Sequence, residues 1–284
     1  MKSTRRARFF CVTDEGLEAT NAALAAACAA REVEFRAVHT DSFVDEPRRA
    51  PRPGDLLYRA ATGLVADRVE KQLWQPGVAA FYETPFFECT SQPIWLARSG
   101  VAMPRTAHTL PKDRRAIEGL VKRLGGLPVV VKVPGGEGGE GVIRVDSLPA
   151  LFSLLDYAPP SAVMMEFFEH VVAHRLVVVG ERVVAAEARH PGAYDFRSNS
   201  AGAGLIGNLR PSRRAAALAL GAARALRLEF GGADILEDAR GRMVLAELNF
   251  PCYFADQQAD SGIDIAGAML DHLMAKARRM ARRR

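Results

Sequence analysis

Residues 128–145 read P-V-V-V-K-V-P-G-G-E-G-G-E-G-V-I-R-V. An apolar run ends in Lys132, five glycines follow within seven residues, and a second run of β-branched residues comes next. Gly136, Gly138 and Gly141 fit the letters G-x-G-x-x-G of a dinucleotide-binding turn. That turn needs a helix to begin at its third glycine, whereas Val142 and the residues after it favour a strand. The stretch therefore predicts a β-hairpin with a long glycine-rich tip.

A tip of this kind can place backbone N–H groups over phosphates, with Lys132 reaching in from the strand. A Walker A loop is excluded, because no Gly-Lys-Ser/Thr sequence follows the glycines. The alternative interpretation is a surface hairpin that binds no ligand.

The composition is that of a globular protein, and 284 residues are enough for two modest domains. The apolar stretches are too short to span a bilayer, and no secretion signal is recognisable, so we expect a cytoplasmic protein without membrane contact. The cysteines are scattered without C-x-x-C spacing, which predicts reduced thiols and neither zinc ligands nor disulfides. They are Cys11, Cys28, Cys89 and Cys252.

The positive charge is concentrated at the C-terminus. Six basic residues lie among the last nine, and removing them takes the formal net charge from +5 to −1. Such a tail can contact nucleic acid or an acidic partner. A solvated, frayed end of the last helix is the more common explanation, so we expect no nucleic-acid partner.

The chain opens with a strand, a helix and a strand, which predicts a βαβ unit and a small parallel α/β domain. Hairpins and helices follow and predict an α+β body. Strands are predicted at residues 7–13, 33–39, 56–59, 78–81, 162–168, 175–179 and 182–188, and helices at 18–31, 65–73, 93–99, 113–124, 150–155, 213–226 and 263–279.

A second cluster lies on a predicted hairpin over residues 232–249. If its turn centres on Arg240 and Gly241, Asp234 lies across from Glu247, and Asn249 shares their face because strand residues two apart point the same way. Two carboxylates and a carboxamide form a hard-oxygen site suited to Mg²⁺. The alternative is an acidic solvent-facing surface of the hairpin.

A third cluster contains arginines. Arg175 and Arg189 lie in one predicted strand pair, and Arg197 and Asn199 lie in the segment D-F-R-S-N that follows. Guanidinium groups pair bidentately with oxyanions, so this set suits a phosphorylated carboxylate. Each arginine taken singly also fits a surface ion pair.

The order of the three clusters resembles the ATP-grasp superfamily and, within it, the RimK-like carboxylate–amine ligases. The resemblance covers nearly all of the chain after residue 90. The matching segments are the lysine with its glycine-rich loop, the adenine hinge V-M-M-E-F-F, the strand pair H-R-L-V-V-V-G-E-R-V-V-A-A-E-A-R, the segment D-F-R-S-N before G-A-G, and the pair D-I-L and A-E-L-N.

The resemblance implies a mixed α/β and α+β fold: an ATP-grasp fold behind a small N-terminal parallel βαβ (pre-ATP-grasp) domain. It divides the chain into that domain at residues 1–92, a central subdomain at 93–172 that carries the glycine loop, and a C-terminal subdomain at 173–284 that carries the metal and catalytic residues. Arg59 stands where the family often has a substrate-side arginine.

The resemblance also implies the site residues. ATP would be bound by Lys132, Gly136, Gly138, Gly139, Glu166, Phe167 and Glu169, with Met165 beside the adenine edge. Mg²⁺, or Mn²⁺ as an alternative ion, would be held by Asp234, Glu247 and Asn249, and the catalytic groups would be Arg189, Asn199, Arg175 and Arg197.

The implied reaction joins a carboxylate and an amine through an acyl phosphate, and glutamate or another amino acid is the expected addition. The substrates would be an amino acid, a peptide or a small metabolite, and a homo-oligomer is compatible with the pattern. Two positions depart from the family: Glu88-Cys89 stands where an Asp-Lys pair is usual, and His174 stands in place of an acid that Glu169 can replace. A catalytically inactive ATP-binding regulatory protein on the same fold is therefore the second interpretation.

Overall fold

The computed structural model describes residues 6–44, 50–83, 92–133, 139–192, 195–197 and 204–283. The strands are β1 (Arg8–Thr13), β2 (Glu34–His39), β3 (Leu56–Arg59), β4 (Thr106–Ala107), β5 (Val129–Lys132), β6 (Val142–Val145), β7 (Val163–Glu166), β8 (Val172–Val179), β9 (Arg182–His190), β10 (Gly204–Asn208), β11 (Phe230–Glu237) and β12 (Met243–Asn249). The helices are α1 (Glu18–Ala30), α2 (Gly63–Leu73), α3 (Gln92–Arg98), α4 (Arg114–Leu124), α5 (Leu148–Tyr157), α6 (Arg213–Ala225), α7 (Ala255–Ser261) and α8 (Ile265–Arg282).

The first sheet is parallel, with the order β2-β1-β3. Every residue of β1 and β3 is buried, as the continuous apolar runs of a parallel sheet require. The predicted βαβ unit is therefore confirmed. The fourth strand expected at residues 78–81 is wrong: Ala79 makes an isolated parallel bridge to Leu56, and the chain then leaves the sheet, because Tyr82 bridges Leu228 instead.

The second sheet has the order β4-β7-β5-β6 and contains the predicted glycine hairpin. β5 and β6 pair antiparallel with Lys132 opposite Val142, so a strand follows the glycines and the hairpin is confirmed. Helix α4 covers this sheet. It begins at Asp113, whose side chain accepts from the Ala116 N–H, and ends at Gly125 in the left-handed conformation.

The third sheet is antiparallel, with the order β10-β9-β8-β11-β12, and it carries the two polar clusters of the sequence. Helices α6 and α8 pack against it. The buried face of α6 consists of alanines, which allow the helix to approach the strands closely. Strand β10 and helix α7 have no counterpart in the sequence prediction.

The three sheets share two hydrophobic cores. The parallel sheet and the five-stranded sheet contribute to one, and the four-stranded sheet has its own with α4 and α5. The sheet that carries Lys132 is therefore packed separately from the sheet that carries Asp234 and Glu247. The division at residues 92 and 172 stays a prediction.

The basic C-terminus is helical further than expected, because α8 continues to Arg282. Lys276 does not belong to a solvated tail: it is buried and donates to the carbonyl oxygens of Ala80 and Tyr82 at 2.8 and 3.1 Å. Within the described ranges, no helix combines the length and apolar character needed to cross a membrane.

Candidate active site

A row of charged residues crosses the five-stranded sheet at the level of the predicted metal site. Glu187 of β9 pairs with Arg175 of β8, Arg175 with Asp234 of β11, and Asp234 with Glu247 of β12. Residues directly opposite each other in antiparallel strands share a face. The neighbours of this row along the strands are buried in the core: Leu176, Ala186, Ala233, Ile235 and Leu248.

A β-bulge sets the pairing of Asp234 with Glu247. On the turn side, Glu237 pairs with Met243 and Ile235 with Leu245; the register then shifts, so that Asp234 meets Glu247 and Ala246 is the extra residue. The predicted pairing at the site is therefore confirmed, although the turn-side register differs by one residue from the assumed one. Without the bulge Ala246 would face Asp234, so the bulge aims a carboxylate at the site.

The three predicted metal ligands contact one another. Asn249 Nδ2 donates to Asp234 Oδ2 at 3.1 Å and to Glu247 Oε1 at 3.0 Å. Across the described ranges no metal-suited group of three or more His, Cys, Asp and Glu side chains occurs. The predicted set has two carboxylates, and its third donor would be the Asn249 amide. A half-turn of that amide presents Oδ1 beside two carboxylates, and this all-oxygen set fits Mg²⁺.

The two carboxylates differ in acidity. Burial raises the pKa of Asp234 to about 6; Glu247 adds to the rise and Arg175 opposes it. Burial also raises the pKa of Glu247, but Lys132, Asn249 and Arg175 together outweigh it and leave this pKa below its usual value. Glu247 therefore keeps its negative charge to lower pH than Asp234.

Lys132 belongs to the four-stranded sheet but lies beside the predicted metal ligand Glu247. Its Nζ lies 3.8 Å from Glu247 Oε2, and both side chains are partly exposed. The glycine hairpin (β5 and β6) and the carboxylate hairpin (β11 and β12) therefore meet at Lys132. Of the predicted phosphate-loop glycines, Gly139 is described and has a φ of 90°, whereas Gly136 and Gly138 lie outside the described residues.

The predicted arginines have different surroundings. Arg175 NH1 donates to both carboxylate oxygens of Asp234, at 2.7 and 2.6 Å. Arg189 Nε donates to Glu187 Oε1 at 3.1 Å, so it contacts the Glu187 end of the charged row on its own strand, β9. Arg197 is paired with Asp195, and its NH1 donates to the Gly139 carbonyl at 2.8 Å. Asn199 lies outside the described residues.

The predicted adenine side is formed by β7 and the residues after it. The Glu166 carboxylate accepts from Arg105 Nε at 2.5 Å, and the Glu166 N–H donates to the Arg105 carbonyl. Adenine would therefore find backbone groups from Phe167 onward. The Phe167 ring contacts Phe196 edge-on, with centroids 5.7 Å apart, and Arg144 lies over it. Glu169 is exposed.

Four residues around the site were missed from the sequence. Glu187 is revealed by strand register, since it lies opposite Arg175. Glu237 is revealed by its side-chain contact, since its Oε2 lies 2.6 Å from His174 Nε2. Gly232 and Cys252 pack against Arg175, and no sequence pattern marks them. Cys89, at one departure from the family pattern, is outside the described residues.

Arg59 is buried rather than open to a substrate. Its Nε donates to Glu70 Oε2 at 2.8 Å, its NH1 donates to the Ala61 carbonyl, and its guanidinium lies 5.6 Å from the Phe250 ring centroid. Phe250 directly follows Asn249, so Arg59 connects the parallel sheet to the end of the carboxylate hairpin.

Two curated relatives are similar in sequence. A probable alpha-L-glutamate ligase of Shewanella loihica is 33% identical over 193 residues, which are 66% of this chain and 63% of the relative. A ribosomal protein bS6–L-glutamate ligase of Salmonella paratyphi B is 36% identical over 184 residues, 62% of this chain and 59% of the relative. The matched part thus spans less than two thirds of either relative's length.

Solved structures share the fold. The ATP-grasp ligase PsnB, complexed with a phosphomimetic variant of a minimal precursor, Mg and ADP, superposes with a TM-score of 0.72 at 18% identity, covering 96% of this chain and 99% of PsnB. A RimK domain protein of Sphaerobacter thermophilus gives a TM-score of 0.67 at 19% identity, covering 94% of this chain and all of its own. The family model of the RimK-like ATP-grasp domain matches residues 91–273. The chain belongs to the RimK-like ATP-grasp family.

Proposed function

We propose that this protein is an ATP-dependent, ADP-forming carboxylate–amine ligase that makes an amide or peptide bond through an acyl phosphate. The observation that carries the proposal is the meeting of Lys132, on the glycine hairpin, with Glu247, on the carboxylate hairpin, at 3.8 Å. To position a nucleoside triphosphate, a protein needs a phosphate-binding lysine beside a set of oxygen ligands for the metal ion, and these two hairpins supply both.

The metal set would consist of Asp234, Glu247 and Asn249, with Mg²⁺ as the ion and Mn²⁺ as an alternative. Bound there, the ion would neutralise the negative charge of the nucleotide phosphates. Lys132 would hold the phosphates, Gly136, Gly138 and Gly139 would cover them with backbone N–H groups, and Glu166, Phe167 and Glu169 would line the nucleoside.

In the first step, a substrate carboxylate oxygen attacks the γ-phosphorus of ATP, the bond to the bridging oxygen breaks, and ADP leaves. In the second, the amine attacks the acyl carbon, phosphate leaves with its electron pair, and the amine proton passes to solvent. Arg175, Arg189, Arg197 and Asn199 would stabilise the negative charge of the acyl phosphate and of the tetrahedral adduct. Neither step needs a nucleophilic side chain, so catalysis would be positioning and charge stabilisation.

We propose an amino acid, with glutamate the leading candidate, as the amine, and the carboxylate of a peptide, protein or small metabolite as the acceptor. The support is that the curated relatives are named as glutamate ligases and that one of them is named for a ribosomal protein. The guanidinium groups of Arg175, Arg189 and Arg197 would also suit an acidic substrate.

A regulatory protein that binds ATP without turnover is the second candidate. The reason for considering it is that Glu88-Cys89 stands at the position of the family's Asp-Lys pair. The lysine of that pair, a positive charge that would contact the nucleotide, is therefore missing. In this case ATP would bind with Mg²⁺, but no acid–amine pair would cause ADP to form.

A screen for ADP release distinguishes the two candidates. Purified protein is incubated with ATP, Mg²⁺ and pairs drawn from amino acids, peptides ending in glutamate and small carboxylates. The ligase requires ADP release that depends on both substrates and is lost in Glu247→Gln. If no pair releases ADP while ATP still binds, the regulatory protein is the correct assignment.

A further inference from the structure

Arg175 covers the carboxylate that is central to the metal set. One nitrogen, NH1, lies 2.7 Å from Oδ1 and 2.6 Å from Oδ2 of Asp234. The two residues are direct cross-strand partners on β8 and β11, so the contact follows from sheet register and not from a flexible loop. Both oxygens that a metal ion would use are therefore engaged by a guanidinium.

The Arg175 guanidinium occupies a space bounded by Gly232 and Cys252, called the arginine seat below. A Cβ built on Gly232 would lie 2.9 Å from Arg175 Nε, 3.1 Å from its Cζ and 2.9 Å from Cys252 Cβ. Real Cβ atoms essentially never come as close as 2.9 Å to another atom, so a larger residue here would require the Arg175 side chain and Cys252 to shift. Gly232 lies two residues before Asp234 on the same face of β11, and the seat thus directs Arg175 onto that carboxylate.

The charges of this cluster balance without an added ion. Asp234 and Glu247 are negative, whereas Arg175 contacts the first and Lys132 approaches the second at 3.8 Å. A divalent ion that entered alone would displace Arg175 and Lys132 from these carboxylates and would meet their like charge beside it. Nucleotide phosphates would remove this conflict, because they accept the displaced arginine and lysine.

We propose that Arg175, held in position by Gly232, keeps a divalent ion off Asp234 until a nucleotide binds. Arg175 would thereby couple metal binding to nucleotide binding. The proposal rests on the proposed function only through the assignment of Asp234, Glu247 and Asn249 as metal ligands. It makes Gly232 a positioning residue that acts through Arg175.

The experiment is Mn²⁺ binding to the full chain without nucleotide, measured from the electron paramagnetic resonance signal of free Mn²⁺. Arg175→Met is expected to bind Mn²⁺ about tenfold more tightly than the unmodified protein, which is the order expected for directly coupled charges. With a non-hydrolysable ATP analogue present, the two should differ much less. Arg242→Met, which removes an arginine paired with Asp238 and not with Asp234, is the matched control and should stay within twofold.

Gly232→Ala tests the seat while keeping the positive charge. It should also tighten Mn²⁺ binding in the absence of nucleotide, because the added methyl displaces the guanidinium from Asp234. Thermal unfolding of each variant establishes that it is folded; should Arg175→Met not fold, Gly232→Ala decides the question.

Nucleotide-free affinities of Arg175→Met or Gly232→Ala within twofold of the unmodified protein would overturn the proposal. A failure of the proposed function has a different signature. If Glu247→Gln leaves Mn²⁺ binding unchanged, the metal set itself is misassigned; if the substrate screen yields no ADP, the ligase assignment fails while the Mn²⁺ result still stands.

Discussion

Lys132 and Glu247 belong to different sheets, and their Nζ and Oε2 atoms are 3.8 Å apart. The two side chains are 30% and 44% exposed, so this ion pair adds little to stability, as is usual for solvent-accessible pairs. Its significance is positional. The lysine of a glycine hairpin faces a carboxylate of a separately packed sheet, so a phosphate-binding group and a metal-binding group lie side by side.

Replacing Lys132 by methionine should weaken ATP binding by about tenfold to a hundredfold, because one charge-assisted contact to phosphate is worth about 1.5–3 kcal/mol. The free energy of unfolding should change little, since the lost ion pair is exposed. Titration calorimetry with ATP and Mg²⁺ measures the first quantity and urea denaturation the second. Lys122→Met, an exposed lysine on α4 of the same subdomain, is the control; an equal loss of affinity in both variants would refute a phosphate role for Lys132.

The glycine hairpin and the carboxylate hairpin were predictable because both depend on local patterns. Val142 and its neighbours favour a strand, and the alternation of Glu247 and Asn249 fixes their shared face. The turn-side register was not predictable, because no sequence pattern marks the bulge at Ala246. The site pairing was correct because the misplaced turn and the unseen bulge offset each other.

The surroundings of Arg175 could not be derived from sequence. Asp234, Glu187 and Gly232 become its neighbours through pairings between strands that are far apart along the chain. A sequence pattern shows which face of a strand a residue occupies but not which strand lies beside it. Cys252 shows the same limit: its scattered spacing suggested only a reduced thiol, whereas its Cβ bounds the arginine seat.

Arg197 links the glycine hairpin to the segment 195–197 through its bond to the Gly139 carbonyl at 2.8 Å. Arg197→Gln should therefore raise the KM for ATP about tenfold to a hundredfold, the range for loss of one hydrogen bond from a charged donor. A kcat that falls by a similar or larger factor at saturating ATP would instead mean that Arg197 stabilises the transferred group. Initial rates of ADP formation over a range of ATP concentrations separate the two.

Removing one partner of the buried pair Arg59–Glu70 should be strongly destabilising. Their side chains are 7% and 4% exposed, and Arg59 Nε lies 2.8 Å from Glu70 Oε2. Glu70→Ala should lower the free energy of unfolding by about 3–5 kcal/mol, because it leaves a guanidinium buried without its partner. Urea denaturation measures the loss.

The double variant Arg59→Met with Glu70→Leu provides the control for this pair. It removes both charges and keeps apolar volume, so it should recover most of the lost stability. A double variant as unstable as Glu70→Ala would show that the contacts of Arg59 with Ala61 and Phe250, rather than charge compensation, hold this junction together.

Glu229 should make stability depend on pH below neutrality. Its Oε2 lies 2.6 Å from His272 Nε2 and its Oε1 accepts from Lys276 Nζ at 2.8 Å, which ties α8 to the start of β11. Burial raises the pKa of Glu229, but the hydrogen bonds and charges of His272 and Lys276 outweigh it, so this pKa lies below 4.5 in the folded protein. The unfolded chain therefore binds the proton more readily than the folded one.

The sign of the effect follows from this difference. The stabilisation by Glu229 is fully present above its unfolded pKa of 4.5 and is lost as the pH falls through its lower folded pKa. Glu229→Gln should therefore be less stable than the unmodified protein at neutral pH, because the stabilisation by the carboxylate is fully present there. The two should converge toward pH 3, as measured by urea denaturation. Glu181→Gln, in the exposed turn after β8, should keep the unmodified pH dependence; a gap that stays constant from pH 7 to 3 would rule out ionic stabilisation by Glu229.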